Sequence, residues 1–236
     1  MESVDEALVD GRQAQLLALA VHEFRTPVTV VCGYLRMLAR EQLGQLNDRQ
    51  RKLVEESERS CARLSALVGE LSELANLDAG SVTLPAHDVP LRDLLEDAAG
   101  KVEDGRDRDI AVEIVGVEDG QIVSGDRTRL TAALAALLRA VVREQTEPGR
   151  VFMEVAERDA DGRRVAAIGI ARDTDLPGQA EPALEAALNE TRGGMGLSLP
   201  IARRVIARHG GRVWSSAGGR LMGTVALWLP LKEKRS

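Results

Sequence analysis

The chain has 236 residues, with 31 Lys and Arg against 37 Asp and Glu, a formal net charge of −6 and 44% apolar residues. That is room for one large domain or two smaller ones around a real core. The absence of a basic stripe and an aromatic content of 2% exclude the charged, stacking surface that nucleic-acid binding needs, and no run of about 18 apolar residues predicts a membrane span.

A first helix is predicted from about Val4 to Gln42, ending near Gly44, with Leu16, Leu19, Val21, Val28, Val31, Leu35 and Leu38 at helical spacing. Inside it stand His22-Glu23-Phe24-Arg25-Thr26-Pro27. A proline there removes one donor, and its ring clashes with the carbonyl of Glu23, so the helix is expected to bend or loosen beside His22. An imidazole next to a carboxylate is a basic, nucleophilic group, because the acid takes or orients its second ring proton. A solvated histidine on a kinked surface helix is the bland alternative. Cys32 and Cys61 are too few for a disulfide scaffold, and each sits in an apolar helical pattern, so two reduced, buried thiols are expected.

Asn47 caps a predicted second helix whose stripe is Leu53, Leu64, Leu67, Leu71 and Leu74. Two antiparallel helices cannot bury such stripes alone. Two copies forming a four-helix bundle solve the problem, and packing on the C-terminal half is the alternative. Asp78-Ala79-Gly80, followed by Pro85 and Pro90, marks the domain boundary and divides the chain into 1–80 and 81–236.

Beyond it the period changes. A short strand is predicted at Val82–Leu84, a helix at Leu91–Val102, strands at Ile110–Val117 and Ile122–Val123, and a helix at Arg127–Arg143. Val151–Ala156 and Val165–Ala171 form a strand pair, Leu197–His209 a helix ended by Gly210-Gly211, and Val213–Ser215 and Thr224–Leu229 the last strands. Strands, hairpins and helices in this order indicate an α+β layer: one mixed sheet with helices on one face.

His22 to Pro27 resemble the H box of sensor histidine kinases of two-component systems, and the second half resembles their Bergerat-type ATP-binding domain, the gyrase-type two-layer α/β sandwich. The resemblance implies a dimeric helical hairpin with His22 as phosphoacceptor and Glu23 as the base taking its proton. Thr26 would position the water that dephosphorylates a partner, and Arg25 would bring positive charge to the phosphoryl group. The implied partners are a second copy and a response-regulator receiver domain; the implied location is cytoplasmic, as a whole protein or as the inner part of a longer sensor.

ATP and magnesium are the cofactors this resemblance implies. Gly194-Met195-Gly196-Leu197-Ser198-Leu199 resembles the second glycine box, where amides opening a helix close on phosphate. Asp173 would bind the adenine amino group, and Arg143 keeps a charge where the family has lysine. The family's two asparagines on the preceding helix fall on Ala136 and Ala140, its first glycine of Asp-x-Gly on Asp175, and its aromatic on Glu144. A methyl group cannot ligate a hard cation, which argues against ordinary magnesium–ATP binding. No metal ligand is assigned. The reading is a phosphorelay protein exchanging phosphate between His22 and a regulator aspartate; the alternatives are an active autokinase and a non-catalytic pseudokinase dimer that docks a regulator.

Overall fold

In the computed structural model, which describes residues 2–102, 109–160, 162–172, 197–215 and 224–233, the chain divides into two compact units, 1–82 and 83–236. The first is a helical hairpin of α1 (Glu2–Ala39) and α2 (Asp48–Asp78). The pairs Arg25–Ser72, Cys32–Cys61 and Glu41–Arg51 show that the two run antiparallel. α1 continues through Pro27 without the predicted loosening. One missing donor costs a few kcal/mol, and packing along two long helices outweighs it.

The turn uses Glu41 and Gly44 at φ 55° and 118°, and an Arg51–Glu41 ion pair at 2.5 Å closes it. Asn47 then caps α2 as predicted, in a reciprocal box. Its side chain accepts the Gln50 N–H at 2.9 Å, and Gln50 Oε1 accepts the Asn47 N–H at 3.0 Å. The two thiols expected to be separate and buried are instead joined: Cys32 and Cys61 form a disulfide across the hairpin, Cα–Cα 5.6 Å. Cys61 is buried and Cys32 half-buried. A sequence separation of 29 gives no sign of this, because antiparallel packing alone brings the positions level.

The second unit contains β1 (His87–Pro90), α3 (Leu91–Gly100), β2 (Ile110–Val115), β3 (Ile122–Gly125) and α4 (Arg127–Glu144). It continues with β4 (Gly149–Ala160), β5 (Arg163–Ala171), α5 (Ser198–Arg208), β6 (Arg212–Ser215) and β7 (Val225–Pro230). The predicted single sheet is two: β1 pairs antiparallel with β3, and five strands run β2-β4-β5-β7-β6. β2 lies parallel to β4 and the remaining neighbours are antiparallel. The predicted strand at Val82–Leu84 is absent; the strand lies at His87–Pro90. Proline is tolerated at its end, where the next residue starts α3.

The core lies between the larger sheet and its helices. β7 alternates strictly, with Val225, Leu227 and Leu229 buried and their neighbours half-buried. α3 contributes Leu91, Leu94 and Leu95, and α4 contributes Leu130, Leu134 and Leu137, all fully buried. Each such leucine is worth about 1.5–3 kcal/mol against exposure. The fold is therefore α+β, a helical hairpin followed by a two-layer sandwich.

Candidate functional site

His22 lies on α1 with Thr26 one turn further along the same face. His22 and Glu23 are 75% and 76% exposed, and His22 Nδ1 stands 3.9 Å from Glu23 Oε1, an ion-pair separation longer than a hydrogen bond. With the Nδ1 side turned to the carboxylate, the tautomer that carries its proton there leaves the Nε2 lone pair free for an incoming electrophile. Below, Val21 is buried. The predicted constellation is thus held on one exposed turn, with one exception in direction. Arg25 Nη2 donates to Ser72 Oγ on α2 at 3.0 Å, which ties that guanidinium to the facing helix. Nothing in the sequence marked Ser72, because its role comes from the facing of two helices 47 residues apart in sequence. The Thr29 hydroxyl donates to the Arg25 carbonyl at 2.8 Å.

In the second unit, the positions expected at a nucleotide site are only partly described. Asp173, Asp175, Gly194 and Gly196 lie outside the described residues. Leu197 is half-buried immediately before α5, and its carbonyl accepts the Ile201 N–H at 2.9 Å. On α4, Ala136 is buried, Ala140 half-buried, and Arg143 exposed in the last turn. Among the described residues no group of His, Cys, Asp or Glu could hold a metal ion.

A second polar constellation was not anticipated. The carboxylate of Asp126 caps α4, accepting the Arg129 N–H at 3.0 Å and pairing with the Arg129 guanidinium at 2.6 Å. Burial pushes this carboxyl up, but the Arg129 amide and guanidinium outweigh it and hold it below the usual carboxylate range. The Asp126 N–H donates to His209 Nε2 at 3.0 Å, while His209 Nδ1 donates to the Val205 carbonyl at 2.7 Å. One neutral tautomer satisfies both bonds. The imidazole so clasps the end of α5 to the β3–α4 junction.

Hairpin and sandwich in this order define a phospho-acceptor helix pair followed by a domain with the fold of histidine-kinase catalytic domains. Residues 12–80 match the His Kinase A (phospho-acceptor) domain family. The sensor protein DivL of Caulobacter vibrioides is 27% identical over 193 residues, 81% of this chain and 25% of its own. A crystal structure of full-length ShkA in complex with AMPPNP is 26% identical, covers 94% of this chain and 47% of that one, and superposes with a TM-score of 0.69. Histidine kinase ThkA in complex with the response regulator TrrA shares the fold, at 21% identity, 92% and 61% coverage and a TM-score of 0.51. The hairpin thus carries the match to a phospho-acceptor domain, and the chain as a whole is similar to histidine kinases. It spans between 17% and 30% of the length of the curated relatives it matches.

Proposed function

We propose that this protein works in a phosphorelay, with His22 taking a phosphoryl group and passing it to an aspartate of a response-regulator receiver domain. The observation that carries the proposal is the exposed His22 with Glu23 on the Nδ1 side and Thr26 on the same helical face. Nε2 attacks phosphorus in line, and the leaving oxygen departs. Positive charge that builds on the ring is offset by Glu23, which takes the Nδ1 proton. The phosphohistidine then meets the regulator's carboxylate, and the P–N bond breaks as the P–O bond forms. Thr26 orients the water for the reverse, hydrolytic fate of the partner's phosphate.

The hairpin functions as a homodimer in this reading. Phe24, Val31, Leu53, Leu64 and Leu67 are exposed on it, and a second copy covers them as a four-helix bundle. Residues 1–80 are the dimerisation and phosphotransfer domain, and 81–236 the ATPase-like domain with a degenerate nucleotide site. Ala136 and Ala140 support that last assignment, since neither offers an oxygen to a cation. Of the two alternatives, autokinase activity requires ligands that α4 lacks, and a pure scaffold has no use for the His22–Glu23 pair. Among the described helices none is long and apolar enough to cross a membrane; a cytoplasmic location completes the reading.

The test is phosphotransfer in both directions with a phosphorylated receiver domain. Label should appear on the wild-type chain and be absent from His22→Ala. Label on the His22→Ala chain would remove His22 from the reaction. Calorimetric titration with ATP and magnesium separates the cases. No heat at millimolar nucleotide supports a degenerate site, and magnesium-dependent micromolar binding returns the autokinase to first place.

A further inference from the structure

The two sulfurs of the Cys32–Cys61 link open onto different grooves of the hairpin. Cys32 lines one groove with Arg36, Glu58, Arg59, Ala62 and Ser65, and its Sγ is 3.3 Å from Ser65 Oγ. Cys61 lines the other groove with Val31, Leu35, Leu53 and Leu64, along with Glu56, Ser57 and Ser60. Arg36 and Arg59 bring positive charge to the groove that half-buried Cys32 lines, an environment in which a sulfur nucleophile attacks peroxides, and Glu58 offsets part of that charge. Cys61 is the more deeply buried of the two, so an oxidant reaches Cys32 first. Resting on the cytoplasmic reading above, a cross-link in that compartment is a transient, responsive one rather than a permanent staple.

We propose that Cys32 and Cys61 form a peroxide-responsive dithiol that clamps α1 to α2, with Cys32 the sulfur oxidised first and Cys61 the one that resolves it. The Cys32 thiolate attacks a hydroperoxide oxygen: the S–O bond forms, the O–O bond breaks, and the departing oxygen takes a proton to leave as water or an alcohol. Cys32 is oxidised by two electrons to the sulfenic acid and the peroxide is reduced. The Cys61 thiol then attacks that sulfur, the S–S bond forms, the S–O bond breaks, and water leaves with the Cys61 proton. A dithiol reductant reverses the link by exchange. The two Cα atoms, on adjacent helices, sit 5.6 Å apart in the closed link, the ordinary disulfide spacing. Cys32 lies about 15 Å along α1 from His22, past Pro27. The closed link therefore fixes the lower part of α1 against α2 and leaves the His22 turn on the far side of the proline.

The experiment uses the full chain, reduced with a phosphine, desalted and exposed to hydrogen peroxide at fixed protein concentration. Intact mass should fall by two hydrogens, and peptide mapping should find an intrachain Cys32–Cys61 pair. The hairpin's melting temperature, followed by circular dichroism, should rise by roughly 10 °C. Cys61→Ser should trap a sulfenic acid on Cys32 that dimedone captures, and Arg36→Ala with Arg59→Ala should slow oxidation several-fold with the same end product. Interchain disulfides, no mass change, or dimedone capture at Cys61 in Cys32→Ser as fast as at Cys32 in Cys61→Ser would each overturn the proposal. None of these readouts uses phosphotransfer, so failure here leaves the relay reading intact, and the converse holds.

Discussion

Replacing Gly125 by alanine would place a methyl carbon 2.3 Å from His209 Cδ2, 2.7 Å from its Nε2 and 3.0 Å from Leu130 Cδ1. Ordinary carbon contacts are about 3.5–4.0 Å, so the ring has to move by more than an ångström. Such a shift breaks its bonds to the Asp126 N–H and the Val205 carbonyl. Two net hydrogen bonds are worth about 1 kcal/mol each, and an amide left without a partner adds about 1–3 kcal/mol. Alanine recovers about 0.4–1 kcal/mol by stiffening the unfolded chain. The expected cost is therefore about 3 kcal/mol, seen as a melting temperature of the second unit lower by roughly 6–12 °C. The assay is thermal and urea unfolding of Gly125→Ala, His209→Ala and the double variant. In the His209→Ala background the methyl group still meets the flexible end of Leu130, at 3.0 Å, but no ring, so Gly125→Ala should then cost less than about 1 kcal/mol. Equal costs in both backgrounds would refute the clasp.

Asp126 predicts an acid dependence. Its carboxyl is held below the usual range when folded, so its contribution is full above the unfolded value near 4 and is lost as pH falls through the lowered folded value. Wild type should exceed Asp126→Asn by about 1 kcal/mol at pH 6, and the gap should close as pH falls through the lowered folded value; a gap independent of pH would show that the Arg129 pair contributes nothing. Asn47→Ala removes the side-chain half of the capping box, the bond accepted from the Gln50 N–H, and should cost the hairpin about 1 kcal/mol in urea unfolding, with Asn47→Ser recovering most of it. Thr26→Ala should slow dephosphorylation of a partner receiver at least tenfold with little change in phosphotransfer to it, measured by loss of label from the receiver; equal losses in both would place Thr26 in the structure rather than in the water's path.

Much of the hairpin was legible from local chemistry. Asn47 with Gln50 is a start signal that works through neighbours three residues apart, and Gly80 lies just past the end of α2. His22 and Glu23 were equally readable, because adjacency on one helix needs no tertiary information. The same holds for the alternation of β7, where period two and burial on one side are the same fact. Pro27 was misread as a point of loosening, since its cost is local and the packing that overrides it is not.

By itself, then, the sequence determined the order of the elements, the Asn47 cap and the placing of His22, Glu23 and Thr26 on one helical turn. Each of these depends on residues within a turn or two of one another. Tertiary structure alone decided the rest. It joined Cys32 to Cys61, turned Arg25 onto Ser72, set β1 on β3 as a separate sheet, and brought His209 to Asp126 across 83 residues. Those contacts arise from which faces of separate elements meet, and periodicity says that a face is buried without saying what it is buried against.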